Sequence, residues 1–246
     1  MHGWRIGLIV PSSNTTMESE LNRMAPEGVS IHTARVPLKE VTPEALEKME
    51  KNVEQPLRDL MDAEVNVIVF GCTSSSLIKG TKHNLEFSRK MEKSGVPFIT
   101  TSTAVIEALK ALKMERISVA TPYSNEVDKK EREFLEENGI KVLKIRGLGL
   151  IKNSEIGKQP PSVAYNLAKS VYVEEGDGIF ISCTNFRTME IIDGLEKDVK
   201  KPVVTSNQAS LWLALKRANV NKDVLGYGRL FNSKPLPLLR DTLSRL

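Results

Sequence analysis

The chain has 246 residues, enough for one large α/β domain or for two lobes of roughly 110–120 residues each. Apolar residues make up 40%, charged residues 27% and aromatics 5%, which excludes a disordered or collagen-like chain. Lys and Arg total 35 against 31 Asp and Glu, a net +4 with the signs interspersed, so the basic residues read as solvated helix faces and no nucleic-acid partner is expected.

The first strand is expected at Ile6–Val10, running into Pro11-Ser12-Ser13-Asn14-Thr15, with a helix over Thr15–Arg23. Strand Ile31–Val36, helix Pro43–Met61 and strand Val65–Phe70 follow, then the block Gly71-Cys72-Thr73-Ser74. Helix His83–Ser94, strand Pro97–Ile99 and helix Ser102–Leu112 complete a first half. The pattern then repeats. Arg5–Asn14 matches Arg116–Asn125, Gly28–Ile31 matches Gly139–Val142, Arg35 matches Arg146, and Val67–Thr73 matches Gly178–Thr184, all at an offset of 111. Pro97–Ile99 answers Pro202–Val204 after one small deletion. Helices are expected at Val127–Glu137, Ser162–Glu174, Thr188–Lys197 and Gln208–Ala218.

Alternating strands and helices predict an α/β fold of two similar lobes, 1–114 and 115–225. Each would be a parallel sheet flanked by helices, the two related by a pseudo-two-fold axis around a central cleft. The tail, 226–246, is expected to pack on a lobe or on a partner chain, the latter giving a homodimer. Apolar runs such as Val67–Phe70 and Ile179–Ile181 are too short to cross a membrane, and no basic leader precedes Ile6–Val10. A cytoplasmic protein with no membrane partner is the expectation.

Ligands of open α/β sheets bind beyond the carboxyl ends of the strands. Here those ends are rich in hydroxyls and amides: Ser12–Thr16, Cys72–Ser76, Thr100–Thr103, Tyr123–Asn125, Cys183–Asn185 and Thr205–Asn207. Helix capping accounts for about one such residue per loop, and the surplus suits a small anion. The P-loop pattern, the dinucleotide fingerprint, the cysteine-phosphatase arginine and the G-x-S-x-G elbow are all missing, so no cofactor is expected. The three histidines are scattered and no C-x-x-C exists, so no metal site is expected either. What stands out is Cys72 and Cys183, the only cysteines, at equivalent positions of the two halves. Each is expected to open a helix, whose N-terminus favours thiolate, the nucleophilic form. Two thiols flanking one carbon suit proton exchange on both faces, or covalent addition by one with proton donation by the other.

Twin cysteines on duplicated lobes resemble the cofactor-independent aspartate/glutamate racemase superfamily. Pro11-Ser12-Ser13-Asn14-Thr15, Gly71-Cys72-Thr73-Ser74 and Ser182-Cys183-Thr184-Asn185 resemble its maleate cis-trans isomerase branch. The amino-acid racemases of the superfamily carry an Asp-Ser pair and a His where this chain has Ser12-Ser13 and Asn185. The arylmalonate decarboxylases keep a cysteine only in the second half. The resemblance implies Cys72 as nucleophile and Cys183 as its acid/base partner. Asn14, Tyr123 and Asn153 match substrate-contacting positions, and Ser13, Thr73, Ser74, Thr184 and Asn185 would offer further donors to a small dicarboxylate. The implied reaction is thiolate addition to maleate or a similar cis-enedioate, bond rotation and elimination to fumarate. A two-cysteine racemase or decarboxylase acting on hydantoin, aspartate or arylmalonate, and a non-catalytic small-anion binder, are the alternatives.

Overall fold

A computed structural model of the chain describes residues 3–233. The first half runs β1 (Trp4–Pro11), α1 (Met17–Met24), β2 (Val29–Val36), α2 (Pro43–Glu50), α3 (Glu54–Asp62), β3 (Val67–Phe70), α4 (Thr73–Leu77), α5 (Gly80–Glu92), β4 (Phe98–Thr100) and α6 (Thr101–Ala111). The second runs β5 (Arg116–Thr121), α7 (Asn125–Glu137), β6 (Lys141–Gly147), α8 (Asn153–Gly157), α9 (Pro161–Val171), β7 (Gly178–Ile181), α10 (Ile192–Val199), β8 (Val203–Thr205) and α11 (Ser206–Arg217). The strand orders are β2-β1-β3-β4 and β6-β5-β7-β8, with every pairing parallel. The sequence repeat is therefore a repeat of topology. The β3 and β7 strands are buried at every residue, as parallel strands covered on both faces must be.

Three local expectations need correction. The single helix expected at Pro43–Met61 is two, α2 and α3, broken at Lys51–Val53. Pro56 has no N–H to give the carbonyl of Asn52, and its ring would clash there, so a new helix has to start just before it. The second correction concerns the segments after the cysteines. Cys72 opens helix α4, but Cys183 leads into a turn, with a short 3-10 segment only at Met189–Ile191. The third is α8, which no periodicity announced. Among the described residues no helix is long and apolar enough to cross a membrane.

The halves are joined through α6 and α11, which pack against each other. On α11 every residue from Ser206 to Leu215 is buried, and on α6 all but Thr103, Glu107, Lys110 and Ala111 are. A helix buried on nearly all sides belongs in the centre of a molecule, not on its surface. Because each helix comes directly after the last strand of its sheet, pairing them brings the two sets of strand ends together. Of the expected tail, Gly226–Ser233 lies against α10 and α11: Gln208 Nε2 donates to Tyr227 O, Gly228 N–H to Asp193, and Arg229 N–H to Glu196. Residues 234–246 lie outside the described residues.

A polar contact reinforces this junction. The Glu20 carboxylate of α1 accepts from the Thr188 and Met189 N–H groups at 2.8 and 3.2 Å and from Asn207 Nδ2 at 2.7 Å, all in the other half. Hydrogen bonds to a charged group contribute about 1.5–3 kcal/mol each, and an orphaned buried donor costs a comparable amount. Glu20→Ala should therefore lower the unfolding free energy by at least ~2 kcal/mol. Urea denaturation measures this, and an unchanged midpoint would show the contact to be dispensable.

Candidate active site

Cys72 leaves the end of β3 and Cys183 the end of β7. Both sulfurs belong to one packed cluster with Tyr123, at 4% and 5% exposure. Their surroundings are polar as well as apolar. Ser74 Oγ lies 3.7 Å from the Cys72 sulfur, the Asn185 N–H donates to the Cys183 sulfur at 3.4 Å, and the Tyr123 hydroxyl is a neighbour of Cys183.

The loops of the two halves interlock around the thiols. Asn14 Nδ2 donates to Thr184 Oγ1 at 3.1 Å, and the Thr184 hydroxyl donates to Gly71 O at 3.0 Å. The Thr15 N–H donates to Asn185 Oδ1 at 2.9 Å, Asn185 Nδ2 to Asn153 O at 2.7 Å, and Asn153 Nδ2 to Ser13 Oγ at 2.9 Å. Thr73 Oγ1 and the Cys183 N–H both donate to Ser206 Oγ, at 2.9 and 3.0 Å. One cluster thus gathers Ser13, Asn14, Cys72, Thr73, Ser74, Tyr123, Asn153, Cys183, Thr184 and Asn185. Each of the three amides uses one N–H of its NH₂ group in these bonds, so each keeps a second for another acceptor. Nothing in the sequence distinguishes Ser206, although it stands in the hydroxyl-rich block after β8. Its role as the junction between the cysteine loops comes only from the pairing of the halves.

Part of the hydroxyl surplus is structural. Thr100 and Thr205 cap α6 and α11 through the Thr103 and Gln208 N–H groups, and Ser75 and Ser76 donate to Leu46 O and Cys72 O. Asn14 Oδ1 likewise accepts from the Thr16 and Met17 N–H groups at the start of α1. His83 pairs with Glu50 at 2.7 Å, and Arg187 is exposed. Arg35 holds the first loop by donating to Asn14 O at 2.8 Å and to Ser12 O at 3.3 Å.

The thiols differ in backbone and agree in ionisation. Cys72 is extended, with φ −144°, whereas Cys183 has φ 94°. A non-glycine residue at such a φ costs on the order of 1–3 kcal/mol and persists only where its surroundings over-determine it. Here Ser206, the Thr184 bonds and the Asn185 bonds do so. Burial pushes the Cys72 thiol above its ordinary range against donation from Ser75 N–H and Ser74. Burial also pushes Cys183 up to about 12 against donation from Tyr123 and Asn185 N–H. The expected preference for thiolate at a helix start is therefore overridden, because desolvation of a fully buried charge outweighs a few oriented dipoles.

A family model described as arylmalonate decarboxylase matches residues 6–231. A maleate isomerase of Pseudomonas putida is 28% identical over 93% of this chain and 97% of its own. The arylmalonate decarboxylase of Bordetella bronchiseptica is 29% identical over 92% and 96%. A Nocardia farcinica maleate cis-trans isomerase variant, solved with a covalently bound succinylcysteine intermediate, superposes with a TM-score of 0.88 at 26% identity, covering 93% of this chain and 98% of that one. The chain belongs to the arylmalonate decarboxylase family, on the maleate isomerase branch of the aspartate/glutamate racemase superfamily.

Proposed function

We propose that this protein is a cofactor-independent cis-trans isomerase that converts maleate, or a closely similar cis-enedioate, to the trans isomer. The observation that carries the reading is the pair of thiols at equivalent strand ends, held in one buried polar cluster by Ser206 and Thr184. Relatives named as maleate isomerases, one with a succinylated cysteine, support it.

The reactive state has Cys72 as thiolate and Cys183 as thiol, the second proton having left to solvent. The Cys72 thiolate adds to one alkene carbon, and the π pair moves to the neighbouring carbon and into its carboxylate. Amide and hydroxyl donors from Asn14, Asn153, Asn185 and Tyr123 stabilise that charge as an oxyanion hole does. Cys183 gives its proton to the carbanion, leaving a succinyl thioether and a Cys183 thiolate. Rotation about what is now a single bond brings the carboxylates trans. The Cys183 thiolate then removes the proton, the π bond re-forms and Cys72 departs as thiolate. Cys183 suits the acid role because its surroundings hold the proton on. A decarboxylase with a single cysteine has no use for Cys72 as a nucleophile.

Three outcomes are expected. Cys72→Ser should abolish both turnover and adduct, while Cys183→Ser should block turnover and leave a maleate-derived thioether on Cys72, read by intact-mass spectrometry. An adduct only on Cys183 would reverse the roles, and carbon dioxide release from an arylmalonate with no action on maleate would favour decarboxylation. Asn14→Ala should lower kcat/KM by roughly 10- to 200-fold, the equivalent of one hydrogen bond to a charged group of about 1.5–3 kcal/mol. Tyr123→Phe removes the hydroxyl alone, and wild-type rates in both variants would leave these residues as loop supports. Because Cys72 must lose a proton that burial holds on, alkylation of a Cys183→Ala protein should accelerate about tenfold per pH unit from about pH 6 to about pH 8. A pH-independent rate would mean that Cys72 is already thiolate.

A further inference from the structure

The main-chain N–H groups of the two cysteines are satisfied in different ways. The Cys72 N–H folds back on its own strand and donates to Phe70 O at 3.0 Å. The Cys183 N–H instead reaches the head of α11 and donates to Ser206 Oγ at 3.0 Å. Ser206 and Thr101 hold equivalent places, each the first residue of the helix that comes directly after the last strand of its sheet. Both are buried, at 1% and 0% exposure. The Thr101 hydroxyl, however, donates to Phe70 O at 3.2 Å and accepts from Ser210 Oγ at 3.1 Å. The same position thus bonds a cysteine amide in one half and a strand carbonyl in the other.

Two donors converge on the Ser206 oxygen, the Cys183 N–H and the Thr73 hydroxyl at 2.9 Å, so both of its lone pairs are used. Thr73 can turn its hydroxyl about a single torsion to meet another acceptor. A main-chain N–H has no such freedom, because re-aiming it requires a change of backbone dihedrals. One residue further along α11, Asn207 Nδ2 donates to Thr184 O at 3.2 Å. The head of α11 therefore grips Cys183–Thr184 at both ends, by the amide of the first residue and the carbonyl of the second. This helix is a firm support, buried from Ser206 to Leu215 and closed at its start by the reciprocal bonds of Thr205 and Gln208. Under that grip Cys183 is held at φ 94°, and the Asn185 N–H meets its sulfur at 3.4 Å.

We propose that Ser206 is a positioning residue for Cys183: by accepting the Cys183 N–H it holds the cysteine in its left-handed conformation and so aims the sulfur at the carbon on which it acts. This rests on the acid/base role given to Cys183 above. Without the Ser206 oxygen, the buried amide has to find another acceptor, and the extended backbone that Cys72 adopts, with its N–H turned to its own strand, is the nearest precedent. Cys72 does not depend on Ser206 in this way, so the effect should fall on one thiol only.

Cys72→Ala leaves Cys183 as the sole cysteine, and Cys183→Ala leaves Cys72. In the first background Ser206→Ala should slow alkylation by iodoacetamide, read by intact mass, about tenfold, because the relaxed backbone takes the sulfur away from the Asn185 N–H that favours its thiolate. In the second background the same substitution should leave the rate within about twofold. Thr101→Ala removes the equivalent buried hydroxyl and is the structural control; whatever it does to the urea midpoint, Cys183 alkylation should stay within about twofold. With both cysteines present, Ser206→Ala should lower kcat about ten- to a hundredfold and leave KM within about threefold, the split expected of a misaimed acid/base group. Unchanged Cys183 alkylation in Ser206→Ala, or an equal slowing by Thr101→Ala, would overturn the proposal. Should Ser206→Ala fail to fold, amide hydrogen exchange of the unsubstituted protein decides: the Cys183 N–H should be protected, and exchange at the rate of an unbonded amide overturns the proposal equally. Alkylation involves no turnover, so failure of the parent protein on maleate counts against the proposed reaction alone.

Discussion

The pairing of α6 with α11 is the constraint on which the remaining architecture depends. Each helix grows straight out of its sheet's last strand, and both are too apolar to leave in water. Val105, Ile106 and Leu109 on one, and Leu211, Leu213 and Leu215 on the other, are all buried. Burying such a side chain contributes roughly 1.5–3 kcal/mol, so the few of them that meet across the helix pair already outweigh any single polar contact above them. Those contacts give precision. Ser206, the first residue of α11, can join Thr73 to the Cys183 main chain only because the apolar pair beneath has already set the distance.

Duplication supplies two cysteine loops, and the two have diverged in backbone. Cys72 is extended at the head of a short helix, whereas Cys183 is forced to a positive φ and leads into a turn. The turn frees main-chain N–H groups that Glu20 takes up, while the helix after Cys72 uses its own in Ser76 N–H to Cys72 O and Ile78 N–H to Ser74 O. A perfectly symmetric protein would present two identical thiols with no physical reason for one to attack and the other to hold a proton. Here the two thiols differ in backbone setting, and the proposed division of attack and proton transfer rests on that difference.

The cluster is largely buried and has no arginine in its loops. A dianion held there would meet amide and hydroxyl donors in place of a guanidinium. Arg35 acts indirectly, clamping the carbonyls of Ser12 and Asn14 so that the side-chain amide of Asn14 keeps its aim. Neutral donors fixed in a region of low dielectric stabilise developing charge without first having to reorganise.

The alternation of short β-branched runs with amphipathic stretches, together with the matching blocks at one offset, is enough to read the α/β class, the duplication and the equivalence of Cys72 and Cys183 from the sequence alone. Those features depend on local periodicity and on self-similarity, which a linear string carries in full. Asn153 could be named only through resemblance, because Leu148–Gly157 has no periodicity; its place in the cluster comes from hydrogen bonds to Ser13 and Asn185, 140 and 32 residues away. Ser206, the strained φ of Cys183, the upward shift of both thiols and the burial of Glu131 were beyond reach of the sequence. Each is set by which groups the other half brings alongside and how much water it removes, and only the packing of α6 on α11 decides that.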